Sequence, residues 1–267
     1  MRIALGLEYD GSQFCGWQSQ PSGCGVQDYL QIALTRLAGH DIKVAAAGRT
    51  DAGVHALSQV VHFDTGAKRP HSAWVRGVNA FLPPGLRVLW AQEVDAEFHA
   101  RFSAERRSYQ YLLQVSQVAP AVLYGKVGWY HRPLDVEAMR QAAVILLGEH
   151  DFSAFRAAEC QAKSPVKQLH CAEVRRHGEF VLFEFCANAF LHHMVRNLVG
   201  SLVHVGKAKH PPEWIAELLE RKDRTCAAPT FAPDGLYLTS VHYDTRWSLP
   251  PCERSLNGFI LPQGEIR

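Results

Sequence analysis

The chain has 267 residues, enough for one large domain or two fused smaller ones, and its 47% hydrophobic and 20% charged content permits a sizeable core. Lys and Arg total 28 against 26 Asp and Glu, so any phosphate-binding surface must come from local clustering rather than from the net charge of +2. Seven widely spaced cysteines without a CxxC pair, a start (MRIALGLEYD) without a signal-peptide pattern and no apolar run of membrane-spanning length speak against a disulfide framework, a zinc site, secretion and a membrane span. A reducing, cytoplasmic protein is expected.

Residues 2–8 (RIALGLE) read as an apolar-rich strand. Leu30, Ile32, Ala33, Leu34 and Leu37 at helical spacing predict a helix over 27–38 that stops at Gly39. Strands follow at about 42–47 and at 57–64 (LSQVVHFD). A helix is predicted at 71–81 around Trp74, Val75, Val78 and Phe81, closed by Pro83-Pro84, and a strand at 86–94. The second half opens with a strand at 108–115 (SYQYLLQV). A helix at 136–147 has Asp135 as N-cap and Gly148 just past its end. Strands at 168–176 and 180–187 flank His177-Gly178 as a hairpin. Helices at 192–205 and 212–222 and a strand at 236–243 (LYLTSVHY) complete it.

Each half thus reads β-α-β-β-α-β, the split pattern of ferredoxin-like units, and the class is α+β. Two such units suggest sheets joined edge to edge, which removes two exposed edges. The expected organisation is an N-terminal half over 1–105, a C-terminal half over 106–245 and a loosely docked tail over 246–267.

Three stretches carry candidate chemistry. AGRTDAGVHA (47–56) places small residues around Asp51, which lets one carboxylate protrude, although on spacing alone an Asx-turn is the commoner fate of Asp-x-Gly and the favoured reading. His55 beside it reads as a hydrogen-bonded structural histidine. In ANAFLHHMVRNLVGSLVHVG (187–206), Arg196 falls near the start of a strongly apolar helix, where its charge needs a carboxylate partner. An ordinary structural salt bridge satisfies that need as well as a catalytic pair. In HARFSAERRSYQYLL (99–113), Arg101, Arg106 and Arg107 precede Tyr109 and Tyr111, a combination suited to phosphate contact and base stacking, with Tyr111 the better core residue.

These stretches, together with LEYDGSQFCGWQ (7–18), VQDYL (26–30), HDFSAF (150–155) and GLYL (235–238), resemble in order the bacterial tRNA pseudouridine synthase A family over nearly the whole chain before about residue 245. The resemblance implies isomerisation of uridine to pseudouridine at positions 38, 39 and 40 of the tRNA anticodon stem-loop. It implies two ferredoxin-like halves in one mixed, mostly antiparallel sheet with helices on one face and a central cleft. It further implies a homodimer acting on tRNA. Carried over by motif, Asp51 is the nucleophile and Arg49 enters the stem to extrude the target base. Tyr109 contacts the flipped uridine, Arg196 pairs with the catalytic carboxylate, and Leu236 packs at the pocket wall.

The reaction breaks the N1–C1′ bond, turns the uracil and bonds C5 to C1′. It oxidises and hydrolyses nothing, so no cofactor and no metal is expected. It needs a carboxylate that stays ionised in a partly dry pocket, which a nearby Arg favours. Affinity for tRNA is assigned to the basic clusters Arg101, Arg106 and Arg107, Lys163 and Lys167, and Lys207 and Lys209. Two other readings compete. One is a non-catalytic RNA-binding module, which leaves the Asp51 loop without a purpose. The other is a metal-dependent hydrolase using His55, His192 and His193, which lacks HExxH and an acidic cluster nearby.

Overall fold

The computed structural model describes residues 1–251 and 253–257. The elements in chain order are β1 (Arg2–Tyr9), α1 (Val26–Ala38), β2 (Ala45–Ala46), β3 (His55–Asp64), β4 (Leu86–Val94), β5 (Ala104–Val115), β6 (Gly128–Tyr130), α2 (Val136–Val144), β7 (Gly148–Asp151), β8 (Val166–His177), β9 (Phe180–Ala187), α3 (Met194–Gly206), α4 (Trp214–Arg221) and β10 (Leu236–Tyr243). The protein is α+β. Among the described residues the chain forms two compact units, one from Met1–Arg106 with the stretch from Tyr237 to Ser255, the other from Arg107–Leu236 with Leu256 and Asn257. Among the described residues no helix is long and apolar enough to cross a membrane.

In the first unit β1 pairs antiparallel with both β4 and β3, and β10 adds to β3 in parallel although it lies late in the sequence. Ile3, Leu5, Leu7, Val60, Val61 and Phe63 are all buried in these strands. Helix α1 buries Val26, Leu30, Ala33, Leu34 and Ala38, the one-sided spacing that its sequence predicts. The Asp28 carboxylate accepts the Gly25 N–H at its start, and Gly39, at φ 78°, closes its end.

The strand expected over 42–47 is only Ala45–Ala46. The reason lies in α1: Thr35 Oγ1 accepts the Ile42 N–H and Gln31 Oε1 accepts the Val44 N–H, so helix side chains take the place of a strand partner. The helix expected at 71–81 is shorter and contains a π-helical turn over Ala73–Gly77, from which the buried Trp74 lies edge-on to Phe63 at 5.3 Å.

Cys15 and Cys24 are joined as a disulfide, against the absence of disulfides expected from composition. A pair nine residues apart in a Pro- and Gly-rich loop carries no spacing signal of its own. Closing so short a loop removes modest entropy from the unfolded chain. The double variant Cys15→Ser/Cys24→Ser should therefore lose about 2–3 kcal/mol of stability in the absence of reductant. Denaturant midpoints read this directly. Dithiothreitol should impose the same loss on the wild-type protein, and an unmoved midpoint in both cases would refute it.

In the second unit β9 pairs antiparallel with β5 and β8, β7 pairs with β8, and β6 adds to β5 in parallel. The hairpin between β8 and β9 turns at Gly178 with φ 59°, as its position predicts. Strands β6 and β7 are additions to the simple repeat. Asp135 caps α2 by accepting the Ala138 N–H at 3.0 Å. That helix ends at Val144 instead of 147 because the N–H groups of Ile145, Leu146 and Leu147 reach back only three residues. Gly148, at φ 99°, then opens β7.

Helix α3 is buried nearly all round, polar Asn197 and Ser201 included. Both ends of the Asn197 amide are bonded: its Nδ2 donates to Phe155 O, and its Oδ1 accepts from Arg224 Nη2 and Thr230 Oγ1. Residues 253–256 are tied down more firmly than a loose tail. Glu253 bridges to Ser240, Arg254 N donates to Thr239 O, and Leu256 is buried with its N–H on Gln110 Oε1. The remainder of the expected tail, from 258 on, lies outside the described residues.

Candidate active site

In the first unit, Asp51 sits half-buried on the loop between β2 and β3, with Arg49 exposed two residues earlier. Small residues let the neighbouring segment 9–17 wrap this loop closely. A Cβ on Gly16 would lie 3.0 Å from both Thr50 O and Ala52 N, and Gly16 takes φ 87°, so only glycine fits there. Trp17 N donates to Thr50 O at 2.9 Å. Tyr9, buried in β1, meets Thr50 Oγ1 through its hydroxyl at 2.8 Å. Gln59 Nε2 donates to Gly48 O at 2.8 Å.

His55 is structural, as its neighbourhood suggests. Its Nδ1 accepts the Gly11 N–H at 3.0 Å and its ring stacks on Tyr237 at 4.5 Å. With that nitrogen's lone pair already taken, His55 is a poor metal ligand through Nδ1.

Arg101 occupies a loop built on two imidazoles. His62 Nδ1 accepts the Ala100 N–H, and His99 Nδ1 accepts the Arg101 N–H, each at 3.1 Å. Phe102 stands 76% exposed beside the Arg101 guanidinium, a pairing suited to a base or sugar face. Burial, with His99 and Arg2 nearby, pushes the His62 pKa down to about 4. The unfolded chain then binds the extra proton as pH falls below about 6.5, so stability present above that pH is lost toward pH 4. Going from pH 7 to 5 should cost about 2 kcal/mol through His62 alone. Urea midpoints at the two pH values should show His62→Gln losing less than wild type. An equal loss in both would remove His62 from the account.

In the second unit, Tyr109 lies on β5 opposite Phe185, nearly buried, with its ring edge-on to Phe190 at 5.1 Å. Tyr111 is core: its hydroxyl donates to Ala232 O and burial pushes its pKa well above the ordinary phenol value. Arg196 is half-buried in the first turn of α3, which His193 opens in the left-handed conformation at φ 62°. Arg196 Nε donates to Phe231 O and Phe231 N returns a bond to Arg196 O. The segment 230–235 is thereby tied to α3, and Leu112 N donates to Gly235 O. Leu236 follows, buried, at the start of β10. The segment that leads to Leu236 is thus tied to α3 through Arg196 and to β5, the strand that carries Tyr109.

The basic residues divide by environment. Arg106 and Lys163 are exposed. Arg107 donates to Asn188 O, and Lys167 donates to Ser164 O and Val166 O, with burial lowering its pKa. Sequence inspection missed Phe190, Tyr9 and Gln59. For Gln59 a signal existed, since an amide in the middle of an apolar strand is costly unless bonded.

Comparison with known proteins gives one consistent result. A family model described as tRNA pseudouridine synthase matches residues 7–103 and 142–244. A tRNA pseudouridine synthase A of Methylobacillus flagellatus is 66% identical over 96% of this chain and 98% of its own. One from Thiobacillus denitrificans is 60% identical over 94% and 96%, and one from Nitrosomonas europaea 56% identical over 94% and 92%.

Proposed function

The chain belongs to the tRNA pseudouridine synthase family and is an isomerase of tRNA uridines, and on that premise we propose that it acts at positions 38, 39 and 40 of the anticodon stem-loop with Asp51 as nucleophile. The observation that carries the reading is a half-buried carboxylate on a loop bonded from two sides, with an exposed guanidinium, Arg49, two residues away.

A stem uridine is out of reach until it is unstacked, at a cost of a few kcal/mol. Arg49, exposed on the same loop, takes the space the base vacates, and Tyr109 receives the flipped uracil against its ring. With Asp51 as the nucleophile, the N1–C1′ bond breaks, the uracil turns and C5 bonds to C1′; the C5 proton passes to solvent and the carboxylate is regenerated. Arg196 pairs with this carboxylate and keeps it ionised. Its orientation is supported by the Nε bond to Phe231 O. Leu236 forms the pocket wall. Arg101, Arg106, Arg107, Lys163 and Lys167 contact phosphates, and the working form is a cytoplasmic homodimer.

Position is tested by treating unmodified tRNA transcripts with the enzyme, then with carbodiimide, and mapping reverse-transcription stops. Stops confined to uridines 38 to 40 are expected. Stops in another arm of the tRNA would overturn the anticodon assignment while leaving the isomerase intact.

A further inference from the structure

The loop that carries the proposed nucleophile is anchored by two buried polar side chains that the reaction chemistry does not explain. Tyr9 is 3% exposed at the end of β1, and Gln59 is 0% exposed in the middle of β3 beside buried Val60 and Val61. Burying a hydroxyl and an amide there is costly unless both are bonded. They are bonded, and to one place. Gln59 Nε2 donates to Gly48 O at 2.8 Å and reaches Tyr9 OH at 3.4 Å; Tyr9 OH meets Thr50 Oγ1 at 2.8 Å. Gln59 Oε1 accepts the N–H of Val60, which fixes the amide's own orientation. The contacts therefore run from β3 and β1 to the two residues flanking Arg49, Gly48 and Thr50, the second of which precedes Asp51.

We propose that Tyr9 and Gln59 are positioning residues for the isomerisation, acting through Thr50 and Gly48 to hold the Asp51 carboxylate where the flipped nucleotide arrives. This rests on Asp51 as the nucleophile. Two features favour positioning over simple core packing. First, both polar groups end on the Asp51 loop, where packing alone would be served by Phe and Leu. Second, Trp17 ties the loop through its backbone N–H to Thr50 O, and Tyr9 and Gln59 add side-chain restraint at Thr50 and Gly48. Burial raises the Tyr9 pKa to about 12, so the phenol stays protonated and able to donate to Thr50 across the working pH range. A displacement of about 1 Å at a reacting group is worth on the order of 100-fold in rate.

The test compares Tyr9→Phe, Thr50→Val, their double variant, Thr50→Ser and Asp51→Asn on an unmodified tRNA transcript, with thermal midpoint and tRNA affinity measured for each. Tyr9→Phe and Thr50→Val should each lower kcat about 10- to 100-fold with KM within about 2-fold, and the double variant should be no slower than the worse single one. Thr50→Ser keeps the hydroxyl and should recover most of the loss. A purely structural role predicts instead a lowered midpoint, additive losses and recovery of rate on cooling. Wild-type kcat in Tyr9→Phe, alongside an inactive Asp51→Asn, overturns the positioning role alone. Activity in Asp51→Asn overturns the nucleophile and this proposal together.

Discussion

Asp51→Asn should cut the single-turnover rate of pseudouridine formation by about 10,000-fold or more while tRNA affinity stays within about threefold. The substitution keeps the shape of the side chain and one accepting oxygen, and it replaces the other oxygen by a donating NH2. It removes the negative charge and the nucleophilic oxygen. The loop itself is held by Thr50, Gly48 and Val54, whose bonds to Tyr9, Gln59 and the Asp51 carbonyl do not depend on the carboxylate. On the proposed reading affinity comes mainly from phosphate contacts that do not use this carboxylate, so the salt dependence of binding should be unchanged. A nucleophile has no substitute in the site, so the loss should approach that of the unassisted reaction. A variant retaining more than a tenth of the wild-type rate would end the assignment. A variant that loses both rate and affinity would point to a folding defect, and its thermal midpoint would then fall as well.

Arg196→Met should lower kcat about 100- to 1,000-fold, and Arg196→Lys should restore little of it. The guanidinium is half-buried at the start of α3, and its Nε is committed to Phe231 O. A lysine ammonium has neither the planar fork nor the reach to keep that bond and serve a carboxylate at once. Met matches the length of the stem, so packing against the segment 230–235 is retained while the charge is removed. Rate measured under saturating tRNA separates this loss from weakened binding. Full activity in Arg196→Lys would mean that only a diffuse positive charge is needed and that the bond to Phe231 is incidental. Full activity in Arg196→Met would remove the residue from the site.

Much of the fold was legible because its strands and helices carry strong periodic signals. Strand 86–94 and the β8–β9 hairpin at Gly178 appear where patterning places them. Helix α1 ends at Ala38 before Gly39 for the reason that the sequence suggests. What was not legible depends on contacts distant in sequence. Residues 42–44 have the composition of a strand, but Thr35 and Gln31 claim two of their backbone N–H groups. The Cys15–Cys24 bridge depends on a loop conformation that no spacing rule encodes. Helix α2 stops three residues early because a tightened turn leads into a left-handed Gly148, which the hydrophobic pattern through Leu147 does not reveal.

The site divides the same way. Asp51, Arg49, Tyr109 and Arg196 stood out because unusual residues cluster in short motifs, and resemblance to a family gave them roles. Tyr9 did not stand out, since a Tyr within a strand is unremarkable until its partner is known, and the amide of Gln59 signals a buried bond without naming its partner. Phe190 was hidden for another reason: it lies in a loop, and only the fold brings its ring edge-on to Tyr109.

The most direct measurement follows tritium release from an unmodified tRNA transcript labelled at uridine C5, using purified wild-type protein in chelator without added nucleotide. Loss of one tritium for each uridine converted, with no release by Asp51→Ala run beside it, is the predicted result. Failure of the folded wild-type protein to release tritium from any of several tRNAs, or equal release by Asp51→Ala, would contradict the account.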